Sequence, residues 1–198
     1  MTKSIALFRQ LAVSALLTLF WASNVAVAST TEVDPELRAH LVTTVNQTDS
    51  FKDRFDAEVW LLGMSERLQR YVKDPQQRFE LLQAIHKAAT QADLQPDLVL
   101  AVIQIESRFD RFAVSSAGAQ GLMQVMPFWR KEIGRPVDNL TDVETNLRYG
   151  CHILQFYLKK EKGNLAKALA RYNGSYGKTW YSELVMVAWQ RSWSSGRL

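Results

Sequence analysis

Across residues 51–193 the apolar residues fall at helical spacing, and each run is closed by Pro, Gly or Asn before the next begins. No stretch alternates apolar and polar residues convincingly enough for a half-buried strand, so a chain punctuated in this way is expected to fold as an all-α domain. Phe51, Phe55, Val59, Leu62 and Leu68 outline a first helix. Asp74-Pro75 reads as a capping residue followed by Pro at the first helical position, leading into Phe79, Leu82 and Ile85. Pro96 opens a strongly apolar helix through Val99, Leu100, Val102 and Ile103 that ends close to Glu106 and Ser107. Thr141 with Glu144 three residues later has the form of a capping box, ahead of a long helix through Leu147, Ile153, Leu154 and Leu158. Asn164 caps a short helix that ends near Tyr172, where Gly174 and Gly177 stop it, and residues 178–193 supply the last one.

A chain of 198 residues with 47% apolar content is long enough for one ordinary core. The net charge of +4 is spread along the chain in both signs. It favours an anionic polymer weakly, and nucleic acid, anionic lipid or a carboxylate-bearing cell wall would each satisfy it. No basic helix stands out, which disfavours nucleic acid. His40, His86 and His152 lie far apart with no acidic or cysteine partner at ligand spacing, and no glycine-rich phosphate loop occurs, so neither a metal nor another cofactor is expected. Cys151, the single cysteine, falls in an apolar helical pattern and reads as a buried, inert thiol.

At the N-terminus, Lys3 and Arg9 flank the start of an apolar stretch over residues 11–21, and Ala26-Val27-Ala28 follows. This is the pattern of a secretory signal over residues 1–28, with the mature chain starting at Ser29. The apolar stretch is short for a bilayer span, and its alternative reading is an uncleaved anchor. A periplasmic location follows, with no stable membrane insertion after cleavage. The remaining expected divisions are an N-terminal helical segment over 29–93, a second helical domain over 94–190 and a tail over 191–198.

The segment most informative about chemistry is 101–127, AVIQIESRFDRFAVSSAGAQGLMQVMP, where an apolar helix delivers a lone carboxylate into small and polar residues. A Glu at a helix end is most often a solvated surface group. Here Gly118 and Gly121 bracket a turn where backbone can approach a ligand, and Ser115, Ser116 and Gln124 offer hydrogen bonds to hydroxyl and acetamido groups. Partial desolvation at the end of such a helix disfavours the ionised carboxylate and raises its pKa toward the range of a general acid. Of Met123 and Met126, at least one belongs to the core.

The segment resembles the catalytic core of the soluble lytic transglycosylases, relatives of goose-type lysozyme in glycoside hydrolase family 23. The pattern is carried by Glu106-Ser107, Ala113-Val114-Ser115, Gly118-Ala119-Gln120-Gly121-Leu122-Met123-Gln124 and Met126-Pro127. Asn146 with Gly150, and the run from Ala168 through Tyr172, Asn173 and Gly174, follow in the same order. The resemblance implies a lysozyme-like helical fold and peptidoglycan glycan strands of alternating N-acetylglucosamine and N-acetylmuramic acid as the partner. It implies that Glu106 is the catalytic acid, that Ser115 and Gln124 line sugar subsites, that Met126 packs near the bound sugar, and that Tyr172 and Asn173 lie across from the Glu. The chain departs from the pattern at Gly174-Ser175-Tyr176-Gly177, where many members have Ala-Gly-Pro-Gly, and at Phe128-Trp129 after the Met-Pro.

Most glycosidases use two carboxylates, and this segment supplies one; Asp110 is near but follows a turn. The resemblance implies a reaction that needs no second acid, in which Glu106 protonates the glycosidic oxygen, the 2-acetamido group stabilises the anomeric carbon, and the sugar's own 6-hydroxyl closes a 1,6-anhydro ring. Tyr172 is then placed to hold the acid or the acetamido group. The competing readings are a goose-type lysozyme activity, with water as acceptor, and a catalytically idle peptidoglycan-binding module. Protein partners are not indicated.

Overall fold

The computed structural model describes residues 54–195; the expected signal, the Ser29 boundary, His40 and Phe51 lie outside them. Among the described residues seven α-helices follow in order: α1 Arg54–Leu68, α2 Pro75–Gln91, α3 Pro96–Glu106, α4 Trp129–Ile133, α5 Val143–Lys160, α6 Leu165–Tyr172 and α7 Trp180–Ala188, which runs into a π-helical turn, Trp189–Trp193. Among the described residues the only strand-like pairings are isolated bridges from Gln120 to Val114 and to Val125. The all-α architecture expected from the sequence is therefore the one observed.

Helix α3 is the centre of the core. Every residue from Asp97 to Ile103 is buried, so the helix has no solvent face through its middle, as its nearly uninterrupted apolar sequence requires. Helix α1 lies outside the segment that carries the resemblance, yet Ala57, Leu61, Met64 and Leu68 join the same hydrophobic core as α3. The face predicted for α1 is corrected: Phe55 is 72% exposed and Val59 54%, while smaller Ala57 faces inward. Apolar residues lie on more than one side of this helix, so its own sequence does not select a face. The contact with α2 and with the chain end does.

The buried carboxylate of Asp97 helps make that contact. It accepts hydrogen bonds from Trp60 Nε1 at 2.8 Å and from the Ser195 backbone N–H at 3.1 Å. Arg67 donates to the Ser194 carbonyl at 2.8 Å, and Trp193 Nε1 donates to Gln104 Oε1 at 2.7 Å. The single helix predicted over 178–193 starts at Trp180 and widens after Ala188. The wider turn changes the phase of the side chains and brings Trp193, fully buried, against Phe109 and Tyr71.

Local signals place most helix starts. Asp74 Oδ1 accepts from the Gln77 N–H at 2.8 Å and Asn164 Oδ1 from the Lys167 N–H at 3.1 Å, both as predicted. The capping box assigned to Thr141 and Glu144 is corrected by one residue. Asp142 is the cap, accepting from the Thr145 N–H at 2.9 Å, while the Thr141 hydroxyl donates to Asn139 Oδ1. A carboxylate next to the threonine is the stronger acceptor for the helix N-terminus.

Candidate active site

Glu106 is the last residue of α3, and its carboxyl is partly buried where the helix gives way to the loop of residues 107–128. Burial pushes its pKa up to about 7, opposed by a hydrogen bond from Tyr181, whose hydroxyl donates to Oε1 at 2.5 Å. Among the described residues no charged group contributes to the shift. Asp110, the nearest acid in sequence, is exposed and accepts from the Phe112 N–H at 2.9 Å, so it fastens a turn.

The backbone beyond Glu106 is held against its preference. Arg108 and Phe109 have φ values of 53° and 69°, in a region that side-chain-bearing residues rarely adopt. Phe109 is buried against Tyr71 and Trp193, with ring centroids 5.0 and 5.4 Å apart, and this packing offsets the strain. Ser107 Oγ donates to the Leu122 carbonyl at 2.8 Å, joining the end of α3 to the far side of the loop.

Asn146 organises that far side from within α5. It is 1% exposed, its Oδ1 accepts from the Met123 N–H at 2.7 Å, and its Nδ2 donates to the carbonyls of Gln120 and Leu140 at 2.8 and 2.7 Å. Gly121 is required beside it, because a Cβ there would lie 2.4 Å from both Asn146 Nδ2 and the Leu140 carbonyl oxygen at a φ of 76°.

The residues predicted to contact sugar divide into two groups. Ser115 Oγ accepts from the Ala119 N–H at 3.0 Å, and Gln124 Nε2 donates to the carbonyls of Ala113 and Gly121 at 3.1 and 2.9 Å. Both therefore shape the loop first, leaving the Ser115 hydroxyl proton and Gln124 Oε1 for a ligand. Met126 is partly buried, and Met123 is the methionine that belongs to the core. Cys151 is buried beside Met123, its thiol pushed up to about 12 by desolvation, as its apolar setting predicts.

Tyr172 lies beside the acid without bonding to it. Burial, and after it the charge of Glu106, raise its phenol pKa, while its hydroxyl donates to the Met123 carbonyl at 2.7 Å. Asn173 is exposed at the end of α6. The hydroxyl that holds the acid belongs to Tyr181, which the sequence reading did not single out. Its signal was weak: Tyr181, Val185 and Ala188 share the buried face of α7, but Trp180, Leu184 and Val187 form an equally apolar exposed face.

Because the Tyr181 hydroxyl stabilises the ionised form of Glu106, Tyr181→Phe is expected to move the carboxyl pKa above about 7, by roughly one unit. A ¹³C titration of the labelled Glu106 carboxyl reads this directly. An unchanged or lowered value would show that the bond does not control the acid.

The sequence pattern of the Transglycosylase SLT domain matches residues 83–183, just over half of the chain. The chain is 37% identical over 92 residues to the "Transglycosylase" of Enterobacteria phage PRD1, a match covering 46% of this chain and 34% of that protein. It is 35% identical over 99 residues to the "Membrane-bound lytic murein transglycosylase F" of Desulfosudis oleivorans, covering 47% of this chain and 21% of that one. The X-ray structure of an inactive mutant of the lytic transglycosylase Slt from Pseudomonas aeruginosa aligns at 22% identity and a TM-score of 0.44, over 71% of this chain and 26% of that one. The chain thus spans about a third or less of the length of these relatives. The matched stretch contains Glu106, the Asn146-braced loop, Tyr172 and Tyr181, and the chain belongs to the Transglycosylase SLT domain family.

Proposed function

We propose that this protein is a peptidoglycan lytic transglycosylase that cleaves the β-1,4 bond between N-acetylmuramic acid and N-acetylglucosamine and leaves 1,6-anhydro ends. The observation that supports this reading is a carboxyl, Glu106, poised at about 7 by burial and held by Tyr181, with no second carboxylate among the described residues perturbing it. An acid with a pKa near neutrality can give a proton in one half-reaction and take one back in the other. Glu106 protonates the glycosidic oxygen as the bond to the anomeric carbon breaks, and the 2-acetamido oxygen stabilises that carbon. The carboxylate then removes the proton of the 6-hydroxyl as its oxygen closes the ring, which restores the acid and consumes no water.

In this reading Ser115, Gln124 and Met126 face the bound sugars from the loop, and Tyr172 and Asn173 from the end of α6. The basic balance of the chain suits a carboxylate-bearing polymer, and residues 1–28 export the protein to the periplasm, where that polymer lies.

Mass spectrometry of the soluble fragments released from purified peptidoglycan tests the reaction. An intramolecular acceptor gains from its high effective concentration, so the expected muramic acid ends are lighter than hydrolysis products by one water. A predominance of reducing ends would replace transglycosylation by a lysozyme-type hydrolysis, and release of no fragments would point to a binding module.

A further inference from the structure

The connection between α6 and α7 leaves the acid and returns to it. It starts at Tyr172, whose phenol feels the Glu106 charge, and ends at Tyr181, whose hydroxyl holds the Glu106 carboxyl. The side chains exposed along this connection are thus tethered at both ends to residues beside the acid. Here, too, the chain departs from the sequence pattern it otherwise follows, with Ser175-Tyr176 between Gly174 and Gly177.

The loop is fastened internally. The Ser175 N–H donates to the Ala170 carbonyl at 2.8 Å, the Gly174 N–H to the Arg171 carbonyl at 3.1 Å, and the Lys178 N–H to the Ser175 carbonyl at 2.9 Å. Gly174 and Gly177 take φ values of 77° and 87° on either side of the turn. The Arg171 guanidinium carbon sits 3.8 Å from the centre of the Tyr176 ring, and Arg171 is itself ion-paired with Glu161 at the end of α5. A cation over one face fixes the ring without enclosing it. Tyr176 remains 51% exposed, and with the guanidinium over one face the opposite face is the one a ligand can reach.

We propose that this face of Tyr176 is a stacking platform for a sugar ring of the glycan strand, held from behind by the Arg171–Glu161 pair. The inference rests on the reading of the protein as an enzyme of peptidoglycan glycan and adds a substrate-binding residue to it. The apolar C–H face of a pyranose presents weakly positive hydrogens, which complement the negative face of an aromatic ring. The fastened loop and the backing guanidinium supply a ring that is already ordered before the sugar arrives, so little freedom is lost on contact. Glu161 balances the Arg171 charge, which leaves the platform selective for the sugar ring and not for an anionic stem peptide.

The test is calorimetric binding of glycan strands stripped of their stem peptides to the full chain carrying Glu106→Gln, so that no turnover intervenes. Adding Tyr176→Ala is expected to weaken binding about tenfold, and Tyr176→Phe or Tyr176→Trp to keep it within about twofold. In the active protein, Tyr176→Ala raises KM by a similar factor while kcat stays within about twofold. Unchanged binding in the Ala variant overturns the platform. A loss seen only on strands that carry stem peptides, or an equal loss in the Phe variant, overturns it as well, by assigning the contact to peptide or to the phenol hydroxyl. Failure of the parent to produce anhydro ends would count against the proposed reaction, and binding of the same strands still decides the role of Tyr176.

Discussion

If the proposed reaction holds, Glu106→Gln is expected to leave the helical fold intact and to lower cleavage of peptidoglycan by about 10²- to 10⁴-fold, the range that general acid catalysis contributes. The amide keeps the shape of the carboxyl and can still accept a hydrogen bond from Tyr181, but it has no acidic proton for the leaving oxygen. A second consequence has the opposite sign. The folded state raises the pKa of Glu106 from 4.5 to about 7, so its contribution to stability is fully present below the unfolded value and is lost as pH rises through the folded one. At pH 8 the parent carries an ionised, partly desolvated carboxylate, and the Gln variant does not. The variant is therefore expected to be more stable than the parent at pH 8, by on the order of 1–3 kcal/mol, with the difference vanishing near pH 4. Zymography with thermal unfolding at both pH values measures the two effects together. A folded variant that cleaves within a few-fold of the parent would remove Glu106 from the mechanism.

Asn146→Ala is expected to cost about 3–5 kcal/mol, a large part of the stability of a domain of this size. The substitution strands the Met123 N–H and the Leu140 carbonyl, and takes from the Gln120 carbonyl one of its two donors, leaving it the Val125 N–H. Buried groups left without partners each cost about 1–3 kcal/mol, and water entering the space recovers part of the loss. Asn146→Asp serves as a control: it keeps the acceptor for Met123 but loses both donors and buries a charge, so it should be no milder than Ala. Denaturant unfolding gives the stability directly. Met123 is also the acceptor for Tyr172, so cleavage should fall under conditions where the variant is still folded. A variant within 1 kcal/mol of the parent, the usual net worth of a single hydrogen bond, would mean that the loop holds its shape without the amide.

Much of the scaffold was legible because the signals that set it act over a few residues. Asp74 with Pro75, Pro96 and Asn164 mark helix starts by capping or by a fixed φ, and each lies within three residues of the groups it organises. The same locality failed at α1 and at the start of α5. In α1 apolar residues on several sides gave no preferred face, and at α5 two adjacent residues could both cap.

The site divides along the same line. That Glu106 ends an apolar helix and opens onto a run of small residues is written in neighbouring positions, and it singled out the proposed acid. What holds and tunes that acid comes from far along the chain. Tyr181 reaches Glu106 across 75 residues, Tyr172 reaches the Met123 carbonyl across 49, and Trp193 reaches Gln104 across 89. None of these pairs is marked by spacing or propensity. Each forms because packing on α3 brings its partners together in a desolvated setting, and the same packing raises the pKa of Glu106 to about 7. The sequence by itself determined most of the helices, though not the short α4, and which carboxyl ends the apolar one. Tertiary packing decided which tyrosine holds that carboxyl, which polar side chains are committed to the loop, and how far water is excluded from the acid, because burial and contacts between distant residues exist only once the core has closed.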